Sequence, residues 1–229
     1  MRDRRENEPP DSRDAMLTGI RRSYAEALLR GDEIRAELAI RDALDARLGA
    51  AEIDDEIIAP ALWLVGELWE RGEISVADEH IATEISLRVL ALEHEAERLA
   101  RDRRGRRVML AAPQGERHVV ALRMTGSLLR DAGYRVLMVG GDVPPEALAA
   151  TAVRHKPDVV CLSATMPGEE DRAFVAMEEV QRQWPSAGFV LGGRGLTSRS
   201  RANPGVEVCR RVGEVVEAVD AVVQRAGFN

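Results

Sequence analysis

The chain has 229 residues, 45% of them hydrophobic and 31% charged, and a net charge of −7, which suits a folded globular protein and argues against a nucleic-acid binder as a whole. Its two cysteines, Cys161 and Cys209, have no paired spacing, which excludes a disulfide framework and a cysteine zinc site and fits a reducing compartment. No apolar run reaches the about 18 residues of a spanning helix and the charged start has no signal-peptide pattern, so a cytoplasmic protein without a membrane segment is expected.

Residues 1–12 are charged and Pro-containing, the composition of a disordered tail. Ser12 or Asp14 can cap a first helix carrying Leu17, Ile20, Tyr24 and Leu28 on one face. Gly31-Asp32 starts a second, with Ile34, Leu38, Leu44 and Leu48 inward, closed by Gly49. A third spans about Glu52 to Glu70, with Ile53, Ile57, Leu64 and Leu68 on one side. Pro60 lies inside it and predicts a kink, because it lacks the backbone donor. After Gly72, Ser75 and Asp78 have the spacing of a capping box for a fourth helix, whose apolar positions are Ile81, Ile85, Val89, Leu92, Ala96 and Leu99. Four helices with short connections predict a four-helix bundle over residues 13–103. The basic run Arg101–Arg107 marks the boundary; a solvated linker at a helix C-terminus is the reading, since no aromatic residues accompany the charges as nucleic-acid stacking would need.

Residues 104–229 alternate between the two periodicities. Strands are predicted at Val108–Ala112, Arg135–Val139, Val159–Leu162, Phe189–Leu191 and Val206–Val208. Helices are predicted at Val119–Asp131, Pro145–His155, Glu169–Trp184 and Val212–Arg225. This is an α/β pattern, a doubly wound parallel five-stranded sheet of flavodoxin-like type. No Gly-x-Gly-x-x-Gly follows the first strand, which argues against a dinucleotide site. Three loops then share the carboxyl edge, where open α/β sheets bind ligands: Gly115-Glu116-Arg117-His118, Ser163-Ala164-Thr165 and Gly192-Gly193-Arg194-Gly195. A helix N-terminus keeps His118 neutral, as a metal ligand must be, and Glu116 can hold its second ring nitrogen. A polar loop histidine is the alternative. Glycines permit close approach of a ligand, and the hydroxyls of Ser163 and Thr165 can bond a buried polar tail.

In this order and spacing the three loops resemble the cobalamin-binding domain, which carries Asp-x-His-x-x-Gly after its first strand, a Ser-x-Leu or Ser-x-Thr after the third and Gly-Gly after the fourth. The matching positions are Glu116, His118, Ala121, Ser163, Thr165, Gly192 and Gly193, with Gly141-Asp142-Val143-Pro144 after the second strand. The resemblance implies that His118 is the lower axial ligand of cobalt and that the displaced nucleotide tail enters the sheet. Glu116 stands where most of the family has Asp, and Ala121 where it has Gly.

The helical half resembles the cap of corrinoid proteins, and Trp69, nine residues, then Glu79-His80 is similar to the signature of cobalamin-dependent photoreceptors. That family implies adenosylcobalamin held between the two halves, with Trp69 over its upper face and Glu79 and His80 around the adenosyl group. It also implies a sensor rather than an enzyme, a light-dependent homo-oligomer of dimer size or larger, and a protein output partner that the sequence does not name. Two departures stand out. About a dozen residues precede the first helix, so no DNA-binding domain and no DNA partner are expected. The residue after Trp69 is Glu70, which excludes a second histidine ligand from that position. Arg194, Arg199 and Arg201 resemble a propionate-binding set for biliverdin, as in the photocobilins, or are a solvated loop. The alternatives are a corrinoid carrier of a methyltransferase system and the small subunit of a mutase.

Overall fold

The computed structural model describes residues 10–95, 105–201, 203, 205–225 and 227. The chain divides into two compact units, residues 1–93 and 94–229.

The first unit is helical. Helix α1, Pro10–Leu29, begins earlier than Ser12 or Asp14 would set it, since proline suits a first helical turn. Residues 1–9 of the expected tail lie outside the described residues. Helix α2, Glu33–Asp45, is capped by the Asp32 carboxylate, which accepts the Arg35 N–H at 3.0 Å. Its inward face is not the one expected. Ile34 is 71% exposed, and Leu38 and Leu44 are also exposed, whereas Ala36, Ala39, Ile40, Ala43 and Leu48 are buried. The alanines face α1, whose own buried set includes Ala25 and Ala27, so small side chains at the contact outcompete the larger apolar ones.

The third helix also departs from expectation. It runs as α3 (Ala50–Ile53), a π-helical stretch (Asp54–Ile58) and α4 (Ala59–Glu70), with Pro60 in the first turn of α4. The widened turn ahead of Pro60 takes up the missing donor, and the Ala59 N–H reaches back five residues to the Asp54 carbonyl. The carbonyl four residues before Pro60 is that of Glu56, and it accepts the Arg21 Nε from α1. Arg21 also pairs with the Glu56 carboxylate at 3.1 Å. Helix α5, Val76–Glu95, opens with the expected capping box: Ser75 N donates to Asp78 at 2.8 Å, and Asp78 N to Ser75 Oγ at 3.2 Å. Ile85 and Val89 are buried and Ile81 is exposed. The side chains of Leu92, Ala96 and Leu99 lie outside the described set, as do Arg101–Arg104.

The second unit is a five-stranded parallel sheet in the order β2-β1-β3-β4-β5: Arg107–Pro113, Arg135–Val143, Val159–Ser163, Gly188–Gly192 and Val206–Cys209 from β1 to β5. Helices α6 (Val120–Asp131) and α10 (Val215–Arg225), the latter following the short α9 (Ser198–Arg201), pack together, as do α7 (Pro145–His155) and α8 (Glu170–Gln183). This is the doubly wound arrangement that the sequence predicts. Strand β1 is buried from Val108 to Pro113 and β3 throughout, as expected of central strands covered on both faces. Strand β2 runs four residues further than predicted, through Val143, and the pairing with β1 slips twice, so that Ala111 pairs with Gly140 and Pro113 with Val143. The slips carry Gly141 and Asp142 alongside the loop after β1. Arg106 and Arg107 are spent at the opposite edge of the sheet: Arg106 pairs with Asp158 at 3.2 Å, and Arg107 N donates to the Asp158 carboxylate at 2.7 Å. The chain turns from building outward past β2 to building past β3 between β1 and β3, so the crevice of the sheet lies at their carboxyl ends.

Candidate functional site

The loop after β1 delivers Glu116 and His118 to that crevice. Glu116 is fully buried, and its two oxygens divide the work. Oε1 is 2.6 Å from His118 Nδ1 and accepts the His118 backbone N–H at 2.8 Å. Oε2 accepts the Thr165 N–H at 2.7 Å, tying the β1 loop to the β3 loop. Burial pushes the Glu116 carboxyl up, but hydrogen bonds from His118, Glu169 and Thr165 outweigh it and hold the group at about 2. Glu116 is therefore an anion fixed beside Nδ1, which orients the ring and assigns Nδ1 as the nitrogen that donates to the carboxylate. Nε2 is the nitrogen directed away from Glu116. The His118 side chain is 50% exposed, so the ring stands at the mouth of the crevice rather than in the core.

The other sheet residues singled out by sequence surround this pair. Asp142 holds the loop from β2: its carboxylate accepts the Gly115 N–H at 2.8 Å, and its own N–H donates to the Glu116 carbonyl at 2.7 Å. Val143 packs against the buried core of the sheet. Ser163 is buried at the end of β3, in register with Gly192, which is in turn paired with Cys209. Thr165 Oγ1 is buried and has no hydrogen-bond partner among the described residues. Gly192 has room for a Cβ, whose nearest neighbour would be the Cys209 carbonyl at 3.7 Å. Gly193 has none: its φ of +120° and the Ala164 carbonyl against it admit only glycine.

The bundle residues sit in the other unit. Trp69, in the last turn of α4, is 42% exposed. Glu79 and His80, in the first turns of α5, are paired at 2.6 Å between Glu79 Oε2 and His80 Nδ1, and Glu79 Oε1 accepts the Thr83 hydroxyl at 3.0 Å. Trp63, Leu64 and Val76 are exposed in the same unit. Arg199 is already held in the sheet unit, paired with Asp171 and stacked 4.7 Å over the Phe174 ring, and the Arg201 side chain lies outside the described set.

Two neighbouring carboxylates escaped the sequence reading. Glu169 is buried and accepts the Met166 N–H at 3.3 Å, and burial together with the nearby Glu116 carboxyl pushes it up to about 6. Glu170 gathers the loop after β4, accepting from Thr197 N at 3.0 Å, Thr197 Oγ1 at 2.7 Å, Ser200 N at 3.1 Å and the Ser200 hydroxyl. In sequence both are ordinary acids at the start of a helix, and nothing local marks them as buried.

The donor set fits a cobalt corrinoid: an imidazole with one nitrogen pre-engaged, and a buried hydroxyl at Thr165 that lacks a partner among the described residues. Comparison with known proteins agrees. The B12 binding domain family matches this chain twice, over residues 20–92 and over residues 106–223. The HTH-type transcriptional repressor CarH of Myxococcus xanthus is 34% identical over 145 residues, 62% of this chain and 47% of the repressor. Trimethylamine corrinoid protein 2 of Methanosarcina acetivorans is 29% identical over 138 residues, 59% of this chain and 63% of that protein. The chain thus spans about half the length of the repressor and less than two thirds of the corrinoid protein. The structure of the monomethylamine corrinoid protein of Methanosarcina barkeri shares the fold, with a TM-score of 0.73 at 18% identity, covering 90% of this chain and 99% of that one. No helix among the described residues is long and apolar enough to cross a membrane.

Proposed function

Because this chain belongs to the B12 binding domain family, with a cobalamin or corrinoid as its cofactor, we propose that it is a cobalamin-dependent light sensor whose dark-state cofactor is adenosylcobalamin. The observation that carries the proposal is the presence, within one helical unit, of an exposed Trp69 and of the hydrogen-bonded Glu79–His80 couple. A corrin-binding chain needs neither merely to hold cobalt. An exposed indole is stabilised by a large flat partner, and an adenosyl group supplies one. Glu79 keeps acceptor capacity for a ribose hydroxyl beyond its bonds to His80 and Thr83.

The division of labour follows from the residues. His118 Nε2 is the lower ligand, oriented by Glu116. Thr165 Oγ1 and Ser163 line the path of the nucleotide tail, and Gly192 lets it pass close to the backbone. Asp142 and Val143 fix the loop that carries the histidine. When bound, the cofactor supplies a cobalt–carbon bond that light cleaves. Trp69 would be covered with the adenosyl group in place and exposed without it, which would give the bundle two arrangements of different stability, a difference that a second copy or an output partner could read.

A corrinoid carrier in methyl transfer is the second reading, favoured by the likeness to the trimethylamine corrinoid protein. Holoprotein reconstituted with adenosylcobalamin separates the two. A sensor changes its spectrum and its size by light scattering on illumination, and Trp69→Ala blunts the size change while keeping the corrin. A carrier shows no difference in size between dark and light and, reconstituted instead with methylcobalamin, passes its methyl group to a thiolate acceptor in darkness, leaving a thioether and cob(I)alamin, which would overturn the sensor reading. His118→Ala tests the lower ligand: weaker binding and a base-on or water-ligated spectrum are expected, and an unchanged spectrum with unchanged affinity removes His118 from the site. Biliverdin added to the same holoprotein tests a second pigment, through a structured red band that responds to light; free-bilin spectra at every ratio remove the pigment and leave the cobalamin claim standing.

A further inference from the structure

Helix α2 turns its small residues inward and its large apolar ones outward. Ala36, Ala39, Ile40 and Ala43 are buried, while Ile34 is 71%, Leu38 49% and Leu44 48% exposed. Leaving three branched side chains in water is a cost that the packing of α2 on α1 does not offset, and a covering surface would. At the spacings that define one helical face, Ile34, Glu37, Leu38, Arg41 and Leu44 form a continuous stripe. Its two charges are weakly committed inside the chain. Arg88 of α5 reaches Glu37 at 3.4 Å and is bonded more closely to Glu33. Arg41 is exposed and has no ion-pair partner among the described residues. Read from either end, the stripe runs apolar, charged, apolar, charged, apolar, with acid and base exchanged on reversal.

We propose that this face of α2 is where a second copy of the chain docks, in an antiparallel two-fold contact centred at the level of Ala39. Arg41 of each copy then stands opposite the partner's Glu37, the two Leu38 side chains meet beside the axis, and Ile34 comes level with the partner's Leu44. A two-fold contact needs a surface complementary to itself, and the exchange of acid for base about Ala39 supplies it. An unrelated partner places no such demand on the order of the charges. A parallel pairing sets Glu37 against Glu37 and Arg41 against Arg41, and that repulsion selects the antiparallel one. The 13-residue helix is about 20 Å long and its stripe about 10 Å wide. That is roughly 200 Å² of footprint per copy, below the about 800 Å² per partner of a stable complex, so the contact by itself makes a weak, reversible dimer.

The test is sedimentation equilibrium of the full chain without cofactor, from micromolar to millimolar concentration. The average mass of wild type is expected to rise with concentration toward twice that of the monomer. Leu38→Glu, Arg41→Glu and Glu37→Arg, each alone, are expected to weaken association at least about tenfold. Arg41→Glu mixed with Glu37→Arg is expected to restore it, because every facing charge pair is then opposite in sign. Circular dichroism checks that each variant folds; these positions lie on the surface, and should Glu37→Arg disturb Arg88, Leu38→Glu and Arg41→Glu decide. A wild type that stays monomeric at every concentration overturns the proposal. So does association that Leu38→Glu and Arg41→Glu leave unchanged, or folded charge variants that fail to associate when mixed. A lower unfolding temperature of Leu38→Glu at concentrations where wild type is monomeric would assign the stripe to the chain's own interior, and also overturns it. Since no cofactor is present, failure here leaves the sensor reading untouched, and failure of that reading leaves this dimer standing.

Discussion

Replacing each glycine of the Gly192-Gly193 pair by alanine should give opposite results. At Gly193 the new Cβ would stand 2.7 Å from the Ala164 carbonyl carbon and closer still to its oxygen, and the backbone φ is +120°. The left-handed conformation alone costs a side chain about 1–3 kcal/mol. Relieving the collision means moving the ends of β3 and β4 apart, against the Ala164 N–H bond to Gly192 O at 2.8 Å and the Gly195 N–H bond to Ala164 O at 3.0 Å. Overpacking of that kind adds about 1–3 kcal/mol, so Gly193→Ala should cost about 2–6 kcal/mol in all. At Gly192 the added methyl meets nothing nearer than the Cys209 carbonyl at 3.7 Å, ordinary contact, and stability should change by less than about 0.5 kcal/mol. Urea unfolding of the apoproteins, followed by circular dichroism, measures both. Cobalamin titration then adds a second axis: a methyl at Gly192 that spares the fold but weakens binding would mark where the cofactor passes the backbone. Equal midpoints for the two variants would refute the steric reasoning.

Three further outcomes follow from the side-chain geometry. Arg21→Ala should destabilise the bundle by about 1.5–3 kcal/mol, because the Glu56 carbonyl ahead of Pro60 loses a charged donor, and Arg21→Lys should recover part of it; a neutral Arg21→Ala in thermal unfolding would show that solvent serves as well. The bonds from Ser200 and Thr197 hold the Glu170 carboxyl at about 2 despite burial, below its ordinary 4.5. Its stabilisation is therefore complete above pH 4.5 and fades as the pH falls toward 2. Glu170→Gln should be less stable than wild type by about 2 kcal/mol at pH 7, with the gap closing near pH 2; a gap that does not shrink would refute the assignment. Burial pushes the Cys209 thiol up to about 12 and raises Cys161 as well, so an aromatic disulfide reagent at pH 8 should label neither cysteine until denaturant is added, and prompt labelling of the native protein would contradict their burial.

What the sequence by itself determined is the part governed by local periodicity and turn chemistry. The alternation of apolar runs and helical spacings after Arg106 sets a doubly wound parallel sheet, because a strand buried on both faces and a crossover helix each leave an unmistakable period. The sheet edge that must hold a ligand follows from topology, and the Glu116–His118 pair is close in sequence, so its contact could be foreseen. Tertiary structure decided whatever depends on elements far apart in the chain. The buried face of α2 is set by close approach of alanines to α1, not by its largest apolar residues, and so leaves Ile34 and Leu38 outside. Arg21 answers a proline 39 positions away, which no window around Pro60 contains. Glu169 is indistinguishable in sequence from any acid opening a helix, and comes near the Glu116–His118 loop only because β1 and β3 are neighbours in the sheet. A residue's period reports its own element; its partner is chosen by the packing that brings two elements together.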